Sequence, residues 1–289
     1  MSSIIGPHTK LCCLIGDPVE HSMSPAMHNA AFNELGLDYA YLAFKVSRER
    51  LGEAIAGVKA LGFAGANVTI PHKMEVMKHL DEVDSLAQQI GAVNTIVNED
   101  GRLIGYNTDG EGALQALSDA GIDLKGRRVV VVGAGGAAHA IAFTFAKKAR
   151  LRSLAILNIV EADAKSLAQR VKAQTGALAD GMALNAANLK KAVEPADVLV
   201  NATSVGMSPK TMESIMPEEL LHKSRAIFDV VYNPLETRLV REAREKGCVA
   251  VTGEKMLVNQ GAKSFELWTG KTPPVEKMLA VVRNALGAK

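Results

Sequence analysis

Two α/β domains, the second a doubly wound parallel sheet, are the fold this sequence predicts, and three observations predict it. Four consecutive valines at 129–132 are too apolar and too β-branched for an exposed loop, and they suit a strand buried on both faces of a sheet. Gly133, Gly135 and Ala138 follow in G-x-G-x-x-A spacing and lead straight into an alanine-rich helical run. Short apolar runs alternate with helical stretches along most of the chain, which is the pattern of βα units. The 289 residues are enough for two cores of ordinary size.

In chain order, the first element is a strand in KLCCLIG, followed by a helix over 24–35 with Pro25 in its first turn. Residues 39–46 read as a strand, 51–61 as a helix, and 63–70 as a third strand stopped by Pro71. Helical stretches over 73–80 and 85–90 precede a hairpin of 92–98 with 103–107. None of these carries a glycine fingerprint, so they read as a separate α/β domain. A helix over 110–120 leads through Gly121 and Gly126 to the valine strand, and the chain crosses between domains there. Next come a strand at 154–158, helices at 162–175 and 186–192, strands at 198–201 and 226–231, a helix at 237–246 and a strand at 249–251. Two amphipathic helices, 260–269 and 275–286, close the chain and are expected to return to the first domain. The expected domains are therefore 1–110 with 259–289, and 111–258.

Lys plus Arg number 33 against 31 Asp plus Glu, and aromatics make up 4% with no basic run among them. That balance points away from nucleic acid as a partner. Hydrophobic residues at 48% and charged residues at 22% are those of a globular enzyme. No stretch reaches the ~18 apolar residues of a membrane span, and no apolar leader opens the chain, so no membrane partner and a cytoplasmic location are expected. Cys12, Cys13 and Cys248 show no CxxC spacing, and the adjacent pair reads as small core residues. No histidines pair at i, i+4 around a carboxylate, so no metal site is expected.

The glycine spacing has a physical reason. The first glycine turns the chain sharply off the strand, and the second lets the backbone approach a pyrophosphate. The third small residue lets the helix pack close, with its N-terminal N–H groups aimed at phosphates. Strand, glycines and helix in this order mark a dinucleotide site, the bland alternative being an ordinary tight turn.

Polar residues without an easy structural task concentrate in the first domain. His21-Ser22-Met23-Ser24-Pro25 puts two hydroxyls two apart before a helix. Ser24, with Pro25 behind it, reads as the cap, which leaves Ser22 to meet a polyol or carboxylate. Asn67 and Thr69 end a strand, and Lys73 follows where a parallel sheet opens its ligand crevice. A lysine at a helix start opposes the dipole, a mild cost that suggests a function. For Asn94 and Asp109, turn or capping chemistry competes with binding. Together these side chains suit a small hydroxylated acid. A Lys–Asp pair would handle a carbinol proton while a cofactor takes the hydride.

At this point the sequence resembles the shikimate dehydrogenase family, which includes the quinate/shikimate dehydrogenases. The resemblance runs nearly end to end through motifs in one order: HSMSP at 21–25 with His28-Asn29, NVTIPHK at 67–73, GAVNT at 91–95 and GYNTDG at 105–110. GAGGAA at 133–138, NATSVGM at 201–207, DVVYNP at 229–234 and QGA at 260–262 continue it. It implies a catalytic domain built from the N-terminal part and the C-terminal helices, an inserted Rossmann domain, and an active site in the cleft. It implies reversible reduction of 3-dehydroshikimate to shikimate by a nicotinamide cofactor, on the route to chorismate and the aromatic amino acids. Ser22, Ser24, Thr69, Lys73, Asn94, Asp109, Tyr232 and Gln260 match the family's substrate positions. Lys73 and Asp109 match its catalytic pair, Lys73 as acid/base for the ring hydroxyl and Asp109 orienting it and binding the same hydroxyl. Gly133, Ala134, Gly135, Gly136, Ala137, Asn158, Thr203, Val230, Gly253 and Met256 match cofactor positions.

Two stretches depart from the family. Members that use NADP usually carry Asn-Arg-Thr/Ser after the second Rossmann strand and another arginine a few residues on. Here the stretch is Asn158-Ile159-Val160-Glu161-Ala162-Asp163, which leaves Arg152 and Lys165 as the nearby cations. Carboxylates repel a 2′-phosphate, whereas Glu161 can accept from a free 2′-hydroxyl. The family default is NADP, and the local chemistry leans to NAD or dual use. Glu254-Lys255 stands where the family has apolar, aromatic or glycine residues, and is expected to charge the cleft rim while packing at Met256 and Leu257 survives. Quinate dehydrogenase activity is the nearest rival. From another class comes a non-catalytic dinucleotide-binding regulator, which predicts loss of the Lys73–Asp109 pair. A methylene-folate-type dehydrogenase suits the Ser22/Ser24 hydroxyls less well. Monomer and homodimer both fit.

Overall fold

A computed structural model describes residues 5–287. They form two compact units, one running to Thr108 and resuming at Val258, the other Asp109–Leu257.

The first unit holds β1 (Lys10–Gly16), α1 (Ser24–Glu34), β2 (Tyr39–Lys45), α2 (Leu51–Ala60), β3 (Gly65–Val68), β4 (Glu82–Val83), α3 (Ser85–Ile90), β5 (Thr95–Glu99) and β6 (Arg102–Tyr106). Most of α9 (Gly253–Thr269) and all of α10 (Val275–Ala285) complete it. Its sheet runs β2-β1-β3-β5-β6-β4. The strands β2, β1 and β3 are parallel, and β5 is antiparallel to both its neighbours. One face packs Ile15, Ala66, Val68 and Ile96 against Leu51, Ile55 and Val58 of α2. The other carries an aromatic cluster of Phe32, Tyr41, Phe265 and Trp268, with His28 stacked on Tyr41. Trp268 Nε1 donates to the Ile96 carbonyl at 2.9 Å. Gly65 leaves room for it, because a Cβ there would overlap the indole nitrogen. Cys12 and Cys13 are buried in this core, and burial pushes the Cys13 thiol up to about 12.

Two local expectations are corrected here. Residues 73–80 are not an α-helix: a 3₁₀ turn spans Glu75–His79. Leu80 is already extended and the Asp81 N–H is drawn to the Leu103 carbonyl, so too few residues remain for α-turns. Lys73 therefore precedes a 3₁₀ turn and has no α-helix dipole to oppose. Ser24 does not cap α1 either. The cap residue is Met23, with no side-chain bond, and the Ser24 N–H donates to Ser22 Oγ at 3.2 Å.

The second unit holds α4 (Asp109–Asp119), β7 (Arg128–Val132), α5 (Gly136–Lys148), β8 (Ser153–Asn158), α6 (Glu161–Thr175), β9 (Ala179–Ala183), α7 (Ala186–Val193), β10 (Val198–Asn201), β11 (Ala226–Asp229), α8 (Arg238–Glu245) and β12 (Val249–Val251). All six strands are parallel, in the order β12-β11-β10-β7-β8-β9. Counted from β7 this is the doubly wound Rossmann order, and strand order reverses between β7 and β10. The four valines alternate faces and are each at most 2% exposed. Val130 and Val132 pack with Leu189, Val193 and Leu239 of α7 and α8.

The edge strand β9 was not expected, because Ala-Asp-Gly-Met-Ala lacks β-branched residues. Its pairing with β8 and close packing on α6, where Gly181 meets the Ala164 backbone, hold it extended. The helix expected at 260 begins seven residues earlier, at Gly253. That start is possible because Gly253 lies against the Val230 and Val231 carbonyls, where a Cβ would not fit. Glu254 is 2% exposed and accepts from the Thr252 hydroxyl at 2.8 Å, so it tucks under the helix start instead of charging a rim. No helix of the described residues is long and apolar enough to cross a membrane.

Candidate active site

In the first unit, strand direction decides where the polar loops go. The C-terminal ends of parallel β1 and β3 lie side by side, so the loops carrying Ser22, Thr69 and Lys73 leave from one edge. Because β5 is antiparallel to β3, its start lies at that edge too, and Asn94 precedes it. The end of β6, which leads to Asn107 and Thr108, follows for the same reason, with Tyr106 opposite Thr95. Ser22, Thr69, Lys73, Asn94 and Thr108 thus gather at one end of one sheet, the position at which open α/β sheets bind ligands. Gln260 joins them, with its Oε1 3.4 Å from Asn94 Nδ2.

Backbone bonds hold these loops. The Val68 N–H donates to the Asn94 carbonyl (2.9 Å), and the Val93 N–H donates to the Lys73 carbonyl (2.7 Å). On the other flank of Lys73, His72 is 1% exposed and its Nε2 lies 2.7 Å from the Val46 carbonyl. A carbonyl only accepts, so Nε2 carries the hydrogen. Lys73 is therefore anchored on both sides.

Asp109 and Tyr232 belong to the second unit. Asp109 directly follows Thr108 as the first residue of α4 and is 8% exposed. Tyr232 follows β11, and burial raises its phenol above the usual range.

The expected cofactor residues of the second unit lie at the C-terminal ends of its parallel strands. Gly133 to Ala137 follow β7, Asn158 ends β8, Thr203 follows β10, Val230 follows β11, and Gly253 and Met256 follow β12. Gly133 has φ +118°, and a Cβ there would lie 2.7 Å from the Ala202 carbonyl oxygen. It therefore turns the chain at the point where strand order reverses. Around Gly135 and Gly136 the situation is opposite, since a Cβ at either would meet nothing within 4 Å. Nothing inside this unit needs glycine there, and the open backbone at the start of α5 fits an approaching pyrophosphate. Asn158 Nδ2 donates to the Val160 carbonyl (3.2 Å) and to Asp163 Oδ2 (3.4 Å), and Glu161 pairs with Lys165 (2.9 Å).

Several supporting residues were not singled out from the sequence. Buried Asp229 accepts from Asn201 Nδ2 (2.9 Å), the Val231 N–H (3.1 Å) and the Thr237 hydroxyl (2.6 Å), which ties together the loops after β10 and β11. Burial outweighs those donors and pushes its carboxyl up to about 6. Thr95, Thr108 and Ser264 are buried behind Asn94 and Gln260. Thr95 and Thr108 sit inside motifs already noted, whereas Ser264 carries no sequence signal. Among the described residues no group of three or more His, Cys, Asp or Glu side chains is placed to hold a metal ion.

Three family descriptions match the chain in succession: the shikimate dehydrogenase substrate binding domain over 14–96, shikimate/quinate 5-dehydrogenase over 114–234, and the shikimate 5′-dehydrogenase C-terminal domain over 253–283. A relative from Moorella thermoacetica named shikimate dehydrogenase (NADP(+)) is 48% identical over 287 residues, covering 97% of this chain and 95% of its own. A solved shikimate dehydrogenase in complex with NADP+ superposes with a TM-score of 0.91 at 43% identity, covering 98% of both chains. Shikimate 5-dehydrogenase from Listeria monocytogenes, solved with shikimate and NAD, gives 0.92 at 39% identity, covering 96% of this chain and 98% of its own.

Proposed function

The chain belongs to the shikimate dehydrogenase family, and on that premise we propose that it interconverts 3-dehydroshikimate and shikimate with a nicotinamide dinucleotide. The observation that supports it most is the gathering of Thr69, Lys73, Asn94 and Thr108, from separate loops, at one end of one sheet. The bound nicotinamide supplies hydride acceptance and donation. Lys73 takes the proton of the ring hydroxyl as an amine during oxidation and returns it as an ammonium during reduction. Asp109 binds the same hydroxyl and orients it. Ser22, Ser24, Thr69, Asn94, Tyr232 and Gln260 hold the remaining oxygens of the acid. Gly133 to Ala137 receive the pyrophosphate, with Asn158, Thr203, Val230, Gly253 and Met256 around the rest of the cofactor.

For the ribose, the local chemistry leans to NAD or to use of both dinucleotides, against the NADP that the family resemblance implies. The Asn158 amide is engaged by Val160 and Asp163, so a carboxylate stands beside the end of β8. Lys165 is paired with Glu161. Arg152 precedes β8 at its opposite end, roughly 20 Å away at about 3.3 Å per residue. A 2′-phosphate would meet repulsion here and a 2′-hydroxyl an acceptor. The test is kcat/KM for shikimate and for quinate, each with NAD and NADP. A strong preference for NADP refutes the ribose reading, and a higher kcat/KM for quinate moves the substrate assignment.

A further inference from the structure

We propose that Asn67, Thr95 and Ser264 are positioning residues that fix which way round the Asn94 amide sits, so that it turns N–H and not C=O toward a substrate oxygen. This rests on the reading of Asn94 as a substrate-binding residue. The two ends of an amide side chain have nearly the same shape, so only their partners decide which end faces a ligand.

Two backbone groups of fixed polarity make that decision. The Thr108 N–H can only donate, and it meets the Asn94 side chain at 2.8 Å, so the atom there is Oδ1. The Asn94 carbonyl can only accept, and it meets the Asn67 side chain at 3.1 Å, so that atom is Nδ2. Asn67 Oδ1 is then left for the Tyr41 hydroxyl at 2.8 Å. Asn67 Nδ2 also shares its hydrogens with Thr95 Oγ1 and Ser264 Oγ, each at 3.1 Å. Thr95 sends its own hydrogen to Asn94 Oδ1 at 2.9 Å. Ser264 Oγ lies 2.8 Å from Thr95 Oγ1 and 3.1 Å from the Gln260 carbonyl, so its one hydrogen is shared between these two acceptors.

The Thr108 N–H and the Thr95 hydroxyl together occupy the acceptor end of Asn94. Its Nδ2 reaches Thr108 Oγ1 at 3.0 Å and Gln260 Oε1 at a long 3.4 Å, the contact a ligand oxygen would replace. Since Asn94 Nδ2 can only donate, the Gln260 atom facing it is Oε1. Thr95 and Ser264 are fully buried, and Asn67, Asn94 and Thr108 nearly so. At that depth a reversed amide would set donor against donor with no water to relieve it.

Thr95→Val keeps the shape and removes the hydroxyl. The expected result is a KM for shikimate raised about 10-fold, with kcat within about twofold and the KM of the dinucleotide unchanged. Thr95→Ser should restore the KM, and in an Asn94→Ala background Thr95→Val should add nothing. Ser264→Ala is the second variant, expected to raise the same KM about 3-fold, and it replaces Thr95→Val if that protein melts before assay. An unchanged KM in the folded variant overturns the proposal. So does a rise that persists in full without Asn94, because the hydroxyl would then be acting elsewhere. Asn94→Ala with an unchanged shikimate KM sinks, instead, the substrate-binding reading beneath it.

Discussion

His28 makes the stability of the first unit depend on pH in a direction its surroundings dictate. The imidazole is fully buried, stacked on Tyr41 at 4.6 Å between ring centres and tilted against Trp268 at 5.2 Å. Neither ring nitrogen has a hydrogen-bond partner among the described residues. Nothing there solvates a cation, and burial drives its pKa from 6.5 down to about 3. The unfolded chain therefore binds a proton below 6.5 that the native state refuses until about pH 3. The stabilising contribution is complete above pH ~6.5 and fades as pH falls through that window. At about 1.4 kcal/mol per unit, it should cost about 2 kcal/mol by pH 5 and about 4 kcal/mol by pH 3. His28→Phe keeps an aromatic ring in the stack and removes the titration. The assay is urea unfolding of both proteins at pH 7 and pH 5, followed by fluorescence of Trp268, the chain's single tryptophan and a neighbour of the substituted ring. The wild type should lose about 2 kcal/mol more than the variant between the two pH values. Parallel losses, within about 0.5 kcal/mol, would refute the reasoning.

Lys73→Ala should lower kcat by about 10²-fold or more while dinucleotide affinity, measured by titration calorimetry, holds; an unchanged rate removes Lys73 from the chemistry. Gly133→Ala should weaken dinucleotide binding at least about 10-fold and destabilise by about 1–3 kcal/mol, because φ +118° and the Ala202 carbonyl both oppose a Cβ. Normal affinity in that variant would show that the turn tolerates a side chain. Asp229 titrates in the opposite sense to His28. Its carboxyl is raised from 3.8 to about 6, so the native state holds a proton the unfolded chain has lost, and stability falls by about 3 kcal/mol as pH rises from about 4 through 6. Asp229→Asn can keep all three partners if the Thr237 hydroxyl turns to accept, and melting curves from pH 4 to 7 should lose that component.

The sequence was most informative where one physical demand dominated. The valines at 129–132 had no alternative to a doubly covered strand, and β7 is buried on both faces. The hairpin of β5 and β6 and the helix after the glycines were legible for the same reason. Legibility failed where tertiary pairing overruled local preference. Ala179–Ala183 has nothing of a strand in its composition and is held by its neighbour β8. Residues 73–80 have helical composition, but the Asp81–Leu103 bond pulls their end into an extended form. The helix expected from 260 starts at Gly253, because the missing Cβ there allows close approach to the Val230 carbonyl.

At the candidate site the division is between residues and atoms. The residue pattern pointed to Asn94 and the family resemblance to Gln260, but neither says which end of an amide faces outward. That depends on the Thr108 N–H and the Asn94 carbonyl, backbone groups every sequence has, brought together only by the register of β3, β5 and β6. The same division governs the ribose. Ile159, Glu161 and Asp163 were visible as an absence of arginine, and Arg152 remained a candidate until strand direction put it at the far end of β8. A substitution that returned a guanidinium at position 159 would thus act where the wild-type side chain is 82% exposed and unconstrained by packing. Ile159→Arg should therefore raise kcat/KM with NADP about 10-fold or more and leave the value with NAD within about threefold, since it adds a partner for the phosphate and removes none from the hydroxyl. If kcat/KM with NADP does not rise, the Asp163 carboxylate outweighs a guanidinium at position 159, and Asp163→Asn should then carry the change.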